Sequence, residues 1–287
     1  GHMVMSNVTK PTKLKYINID TSFRDEHSDY YNANSLATCT VTLPDRINDV
    51  KALIVRNMEI PMTIYNISSS IGNNCFQIIS GASSAVVTIP DGNYTDFTSF
   101  AAAVNSAIQS LPSTFRNLQY FIVNNRSVID ASSGSYTINF AISSNGSLDN
   151  YNLKRKLGWA LGFRQSSYSV TTSQKTSEGF VDLTGLRYLY LVLDEFTRGN
   201  QNSFIAPLAS SLVRKNILAR IALNKTTWPF GSFITANNFN GYLLTDHRTY
   251  SGKVDLQKLS IQLVDDIGNP VNLNGMDFSF CLEVEHE

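Results

Sequence analysis

The chain has 287 residues, 23 Lys+Arg against 23 Asp+Glu, 43% hydrophobic residues and only 16% charged ones. A formal net charge of zero sets it apart from proteins that coat nucleic acid, which carry a basic excess. The same balance excludes intrinsic disorder, which needs low hydrophobicity with high net charge.

The elements read mostly as β. Residues 1–13 are expected to be a flexible N-terminal arm. Gly1-His2-Met3 reads as a cloning remnant, and Lys10, Pro11 and Lys13 leave the stretch no core face. Tyr16 to Asp20 alternates, then a polar stretch runs from Thr21 to Asn34. Leu36 to Leu43 and Val50 to Ile60 read as two strands separated by Pro44-Asp45. Cys75 to Ile79 and Ala85 to Ile89 flank the turn Ser80-Gly81-Ala82.

The pattern changes at Pro90-Asp91-Gly92-Asn93, a turn that Gly92 supplies. Thr95 or Asp96 can cap the helix that follows, because a short oxygen-bearing side chain accepts the free amide hydrogens of a first turn. Phe97, Phe100, Ala101, Val104, Ala107, Ile108 and Leu111 recur at helical spacing up to Pro112. Leu118 to Val123, Ser127 to Asp130 and Tyr136 to Ile142 read as strands, the last two joined as a hairpin through Ala131-Ser132-Ser133-Gly134. Leu153 to Leu161 reads as a short helix ending at Gly162.

Tyr188 to Leu193 is an apolar run of the kind buried on both faces, and Ile217 to Leu223 alternates. Val254 to Val264 and Phe278 to Val284 read as a long terminal hairpin. The fold class expected is mainly β: a jelly-roll-type β-sandwich, residues 14–89 plus 166–287, with a small α+β lobe inserted at 90–165. Extra length is expected in that insert and in the loop 197–215.

Chemistry is sparse. Three cysteines, Cys39, Cys75 and Cys281, are too few for a disulfide scaffold, match no zinc spacing, and read as buried thiols of a reducing compartment. Cys39 and Cys281 are expected to be neighbours, on the first and last strands of a sandwich. No segment approaches the ~20 apolar residues of a membrane span, and the N-terminus shows no signal-peptide core. His27, His247 and His286 lie in polar or terminal sequence. No nucleophile elbow, phosphate loop, HEXXH or paired CXXC is present. Asp45, Asp49, Asp194, Glu195, Asp265 and Asp266 read as turn formers, edge charges and solvated faces. Two adjacent carboxylates at 265–266 are too few oxygens for calcium. The run Lys154-Arg155-Lys156 could touch phosphate but reads first as a solvated helix face, with a lighter basic cluster at Lys10, Lys13 and Lys15. Tyr30, Tyr31 and Tyr65 are the aromatic interface candidates. No residue is assigned to catalysis, to a cofactor or to a metal.

Four segments carry a resemblance. They are Ile19-Asp20-Thr21-Ser22-Phe23-Arg24-Asp25; Leu43-Pro44 with Ile47 to Val50 and Glu59 to Ile67; Ile89 to Thr95 opening a helix; and Leu157-Gly158-Trp159-Ala160-Leu161-Gly162-Phe163-Arg164. In this order, over about residues 17–285, they resemble penton (vertex) and minor capsid proteins of large eukaryotic double-stranded DNA viruses, virophages and polinton-type elements. The resemblance implies a jelly roll without catalysis or cofactor. It implies a homopentamer if the chain is the penton, partnered by itself, the major capsid protein and other shell proteins. No specific nucleic acid is expected, and the location is the virion, assembled in the host cytoplasm. The alternative is a β-sandwich module that binds a host receptor or glycan through its polar, aromatic-rich surface.

Overall fold

The computed structural model describes residues 11–25, 37–171, 173–196, 216–245 and 247–287. In chain order its strands are β1 (Lys13–Asp20), β2 (Thr38–Pro61), β3 (Cys75–Ser80), β4 (Ser83–Thr88), β5 (Leu118–Val123), β6 (Arg126–Ala131), β7 (Tyr136–Asn139), β8 (Ser167–Val170), β9 (Lys175–Thr176), β10 (Tyr188–Asp194), β11 (Ile217–Ala222), β12 (Phe233–Asn237), β13 (Leu243–Thr245), β14 (Arg248–Val264) and β15 (Ser279–His286). The helices are α1 (Phe97–Gln109) and α2 (Leu157–Ala160). The protein is mainly β, in curled antiparallel sheets of the jelly-roll-like β-sandwich class. It divides into two units, one up to Ile64 and from Leu186 onward, the other Tyr65–Gly185.

The first unit is organised around β2. Its sheet runs β1-β15-β2-β14-β10-β11-β13, and β12 also pairs with β2. The expected hairpin between Val254–Val264 and Phe278–Val284 is corrected here: β2 lies between β14 and β15 and pairs with both. Of the segments Leu36–Leu43 and Val50–Ile60, the first from Thr38 onward and the second are likewise parts of one strand. Pro44 lacks an N–H to donate, and it falls where the β2–β14 register slips between Leu256 and Lys258, so no ladder bond is lost. That slip also changes which residues of β14 face inward, so Leu256 and then Leu259, Ile261 and Leu263 are all buried.

Cys39 and Cys281 are not neighbours. Cys39 pairs with Ile261, whereas Cys281 pairs with Asn57 at the opposite end of β2 and with Asn18 of β1. Among the described residues none of the three cysteines is in a disulfide. β10 is buried along Leu189–Leu193, between β11 and β14, as its apolar run requires.

Two buried arginines pin this unit. After β1, Asp20 accepts from the Ser22 amide, and Arg24 donates to Thr21 O (2.9 Å) and Asp277 Oδ1 (2.8 Å). The Thr21 hydroxyl donates to the same carboxylate oxygen at 2.7 Å. Asp25 then grips the edge of β2 by accepting from the Thr42 amide and hydroxyl. Arg248, 1% exposed, donates to Leu193 O, Asn216 O and Glu195 Oε2, and the Tyr250 hydroxyl donates to the same Glu195 oxygen at 2.7 Å.

The second unit has two small sheets, β4-β3-β7-β8 and β5-β6-β9. The Asp96 carboxylate caps α1 by accepting from the Ser99 amide at 2.7 Å. The stripe Phe100, Val104, Ile108 is buried, with Phe100 edge-on to Tyr94 and Tyr120. The boundaries drawn at 90 and 165 are displaced. β3 pairs with β7, and Phe76, Ile78 and Val87 join the core under α1, so 75–88 and 166–185 fall in this unit. The expected hairpin of Ser127–Asp130 with Tyr136–Ile142 is also corrected. β6 pairs with β5 through Asn124-Asn125, both at positive φ as a type I′ turn demands, and β7 belongs to the other sheet. The proposed arm at 1–13 lies outside the described residues except for its last three, and Lys13 already opens β1. The loop 197–215 lies outside them too.

Two substitutions test this account. Phe100→Ala leaves a cavity worth about 3–5 kcal/mol, so calorimetry of the full chain is expected to show the second unit melting first; one unchanged transition would mean one common core. Arg248→Ala strands the buried Glu195 carboxylate, and its urea midpoint is expected to fall by the equivalent of about 3–5 kcal/mol, whereas Lys258→Ala on the exposed face changes it little.

Candidate functional site

The acids and histidines singled out in the sequence do not converge on one cleft among the described residues. Asp49 sits at a positive-φ bulge, where its amide donates to Asp255. Asp194 accepts from the Phe196 amide, and Asp265 accepts from the amides of Ile267 and Asn269, closing the turn before β15. Glu195 is spent on Arg248 and Tyr250. Asp45 lines a groove beside β1, and Asp266 follows Asp265 in the turn. His286 Nδ1 lies 3.0 Å from the backbone oxygen of Glu287. His27, Lys10, Tyr30 and Tyr31 lie outside the described residues, and Tyr65 opens the second unit.

One grouping of ligand-type side chains does form. Glu283 and Glu285, two apart on β15, share a face, and His247, just before β14, lies alongside them across β2, with His247 Nε2 at 3.3 Å from Glu285 Oε1. Sequence spacing could not have found it, since its members come together only through β2. Glu283 is already engaged: Oε1 accepts from the Tyr16 hydroxyl (2.9 Å), and Oε2 from Arg56 Nη2 (2.6 Å) and Nε (3.1 Å). Burial pushes the Glu283 carboxyl up, but the bonds from Arg56 and Tyr16 outweigh it and hold it below the usual range. The Tyr16 hydroxyl is raised, first by its bond to Glu283. This network locks two interface-type side chains, Tyr16 and Arg56, on an open sheet face.

The motif segments serve structure. Asn66 holds the Asp91–Thr95 segment: its Oδ1 accepts from the Tyr94 amide, and its Nδ2 donates to Tyr94 O and Leu183 O. Gly92 is not at positive φ, so its role is corrected from turn glycine to bridge partner. It exchanges backbone bonds with Ile67, and the Tyr94 ring lies 3.4 Å from where a Cβ would stand. In the Leu157–Arg164 segment, a Cβ on Gly158 would stand 2.5 Å from the Phe140 ring, and one on Gly162 (φ +95°) 2.3 Å from the Gly179 carbonyl oxygen. Leu157, Leu161 and Phe163 are buried, with Phe163 stacked on Phe140. Trp159, expected to close the core, is only half-buried and lies under Arg164.

What remains outward is surface. Among the described residues, β1 pairs only with β15 and β13 only with β11, so the large sheet ends on two unlike open strands. Beside β1, a groove of about 510 Å³ runs between Lys15–Asp20 and Val41–Asp45, with Phe23 at its end. Phe23 is 76% exposed, Tyr16 61% and Phe233 54%. Phe233 and Met276 line a second groove beyond Asp20.

The Glu283 network predicts a pH dependence. A carboxyl held below its unfolded value, about 4.3, stabilises the fold above that pH, and the contribution disappears as pH falls through the folded value. Glu283→Gln is expected to cost about 1–3 kcal/mol at pH 7, with the gap to wild type closing toward pH 3 in urea titrations. A gap that stays constant would mean that Glu283 acts without its charge.

No family model matches the chain, and no curated protein matches it. Among solved structures it is similar to the crystal structure of the selenomethionine-labelled mavirus penton protein, at 11% identity, with 97% of this chain and 100% of that chain covered and a TM-score of 0.46. A likeness at that distance carries neither fold nor function.

Proposed function

We propose that this chain is a structural viral capsid protein, the penton at icosahedral vertices, and that it acts by self-assembly. The observation that carries the reading is the large sheet's ending, among the described residues, on two unlike open strands, β1 and β13. Contact between unlike surfaces of successive copies is heterologous, and such contacts close into rings when the rotation allows. The apolar side chains gathered near β1, Phe23, Phe233 and Met276, supply the area that an interface core needs.

The ordered segments support the same reading. Asp20–Asp25, Asp91–Thr95 and Leu157–Arg164 are each consumed in holding turns, strand ends and glycine contacts. The reading asks for no catalytic residue, cofactor or metal. Its partners are further copies of the chain, a major capsid protein and other shell proteins, and its place is the virion.

Native mass spectrometry of the full chain at tens of micromolar is expected to give a pentamer. Phe23→Asp, at an exposed position, is expected to shift the distribution to monomer while leaving the melting temperature within about 2 °C. A wild-type monomer under these conditions overturns the reading.

A further inference from the structure

The sequence singles out two features that assembly does not absorb: the basic run Lys154–Lys156 and the arginine that ends the Leu157–Arg164 segment. The structure splits the run. Lys156 is buried and donates to Asp149 Oδ2 at 2.6 Å, so it is structural. Lys154 is exposed, and its ammonium lies 5.9 Å from the centre of the Trp159 ring. Arg164 lies over the same indole at 4.3 Å, with Nη1 donating to Trp159 O.

A third cation joins them. Arg164 Nη2 comes within 2.7 Å of the place where a Cβ on Gly179 would stand, so the absence of a side chain there makes room for the guanidinium. On either side of Gly179, Glu178 gives its carbonyl to Arg126 Nη1, and Phe180 lies under the Arg126 guanidinium at 4.9 Å. Lys154, Arg164 and Arg126 therefore form one stripe along Trp159, Gly179 and Phe180. Of the carboxylates nearby, Asp149 is paired with the Lys156 ammonium, whereas Glu178, with both oxygens 2.8 Å from the Tyr168 hydroxyl, and Asp182, accepting from the Thr184 amide, are bonded to uncharged donors.

We infer that this stripe binds a sulfated glycan. A guanidinium stacked on an aromatic ring keeps its edge N–H groups for an oxyanion. Arg126 and Arg164 are also tied to backbone carbonyls, so little freedom is lost on binding. Three cations on adjoining segments suit a chain that repeats its anionic groups. Single-stranded nucleic acid repeats them too, but it gains its affinity by stacking bases on bare aromatic faces. Here Trp159 and Phe180 have each given a face to a cation. The site is independent of the assembly reading, since all its residues lie within Tyr65–Gly185.

The test uses the full chain and a heparin-derived octasaccharide, by calorimetry at 50 mM and 200 mM salt. Wild type is expected to bind, more weakly at the higher salt. Lys154→Ala, at an exposed position, is expected to raise Kd at least threefold, and Arg126→Gln/Lys154→Ala/Arg164→Gln at least tenfold with far-UV dichroism unchanged. Lys51→Ala/Lys253→Ala, in the other unit, is expected to leave Kd unchanged. Lys154→Ala alone keeps the test decisive where the triple variant does not fold. The inference is overturned by absent wild-type binding, by equal affinity for the desulfated octasaccharide, by unchanged affinity in Lys154→Ala, by equal loss in the Lys51/Lys253 variant, or by tighter binding of a thymidine oligonucleotide.

Discussion

The first unit depends on one strand serving both of its halves. β2 has 24 residues, which at about 3.3 Å each would extend roughly 80 Å if straight, far beyond the reach of a small sandwich. It has to curve, and it curves where pairing is interrupted: through Pro44 and Arg46, and at Asp49, whose φ of 57° marks a bulge. Beyond the bend it is paired on both sides, to β15 on one and to β14 and β12 on the other. Displacing β2 would open the sheet along both edges at once. For that reason its inward positions are filled without slack by Val50, Leu53, Val55, Met58 and Ile60, all fully buried.

This constraint also explains the positions of the buried charges. Both arginines act where chain segments meet the frame of β2, β14 and β15. Arg24 and Asp277 join the segment after β1 to the residue just before Phe278 and β15. Arg248 opens β14 and gathers the carbonyls of Leu193 and Asn216. A buried ion pair adds little net stability against an apolar equivalent, but it penalises any arrangement that leaves one partner alone. Placed at these junctions, the pairs act on register rather than on total stability.

Alternation was enough to read most strands, and the Phe100–Val104–Ile108 stripe was enough to read α1. Pairing was not legible. Period-2 alternation says which way a residue faces and nothing about its neighbour, so two terminal strands joined by a turn read as a hairpin although β2 runs between them. The same ambiguity joined β6 to β7 across Ser132-Ser133-Gly134, while the true turn, Asn124-Asn125, lies in the gap between Val123 and Ser127 that alternation leaves unassigned. The cationic stripe was half legible. Lys154 and Arg164 lie in adjoining segments that the sequence singles out, but Arg126 and Phe180 join them through the backbone of Glu178 and Gly179. The His247–Glu283–Glu285 grouping was invisible for the reason that hid β2.

The open strand β1 bears on how copies could meet. A long bare edge invites indiscriminate pairing, and natural sheets blunt such edges with lysine. β1 carries Lys13 and Lys15, both exposed, and its next outward side chain, Tyr16, is held by Glu283. An incoming strand with no complementary charge would leave those ammonium groups desolvated beside it. On the assembly reading, a productive neighbour therefore either brings carboxylates to Lys13 and Lys15 or docks through side chains past the edge, onto Phe23, Phe233 and Met276. A chain of zero net charge meets little long-range repulsion between copies. Discrimination between right and wrong contacts must then come from short-range features of this kind, with the lysines excluding edge pairing and the aromatic cluster rewarding one orientation.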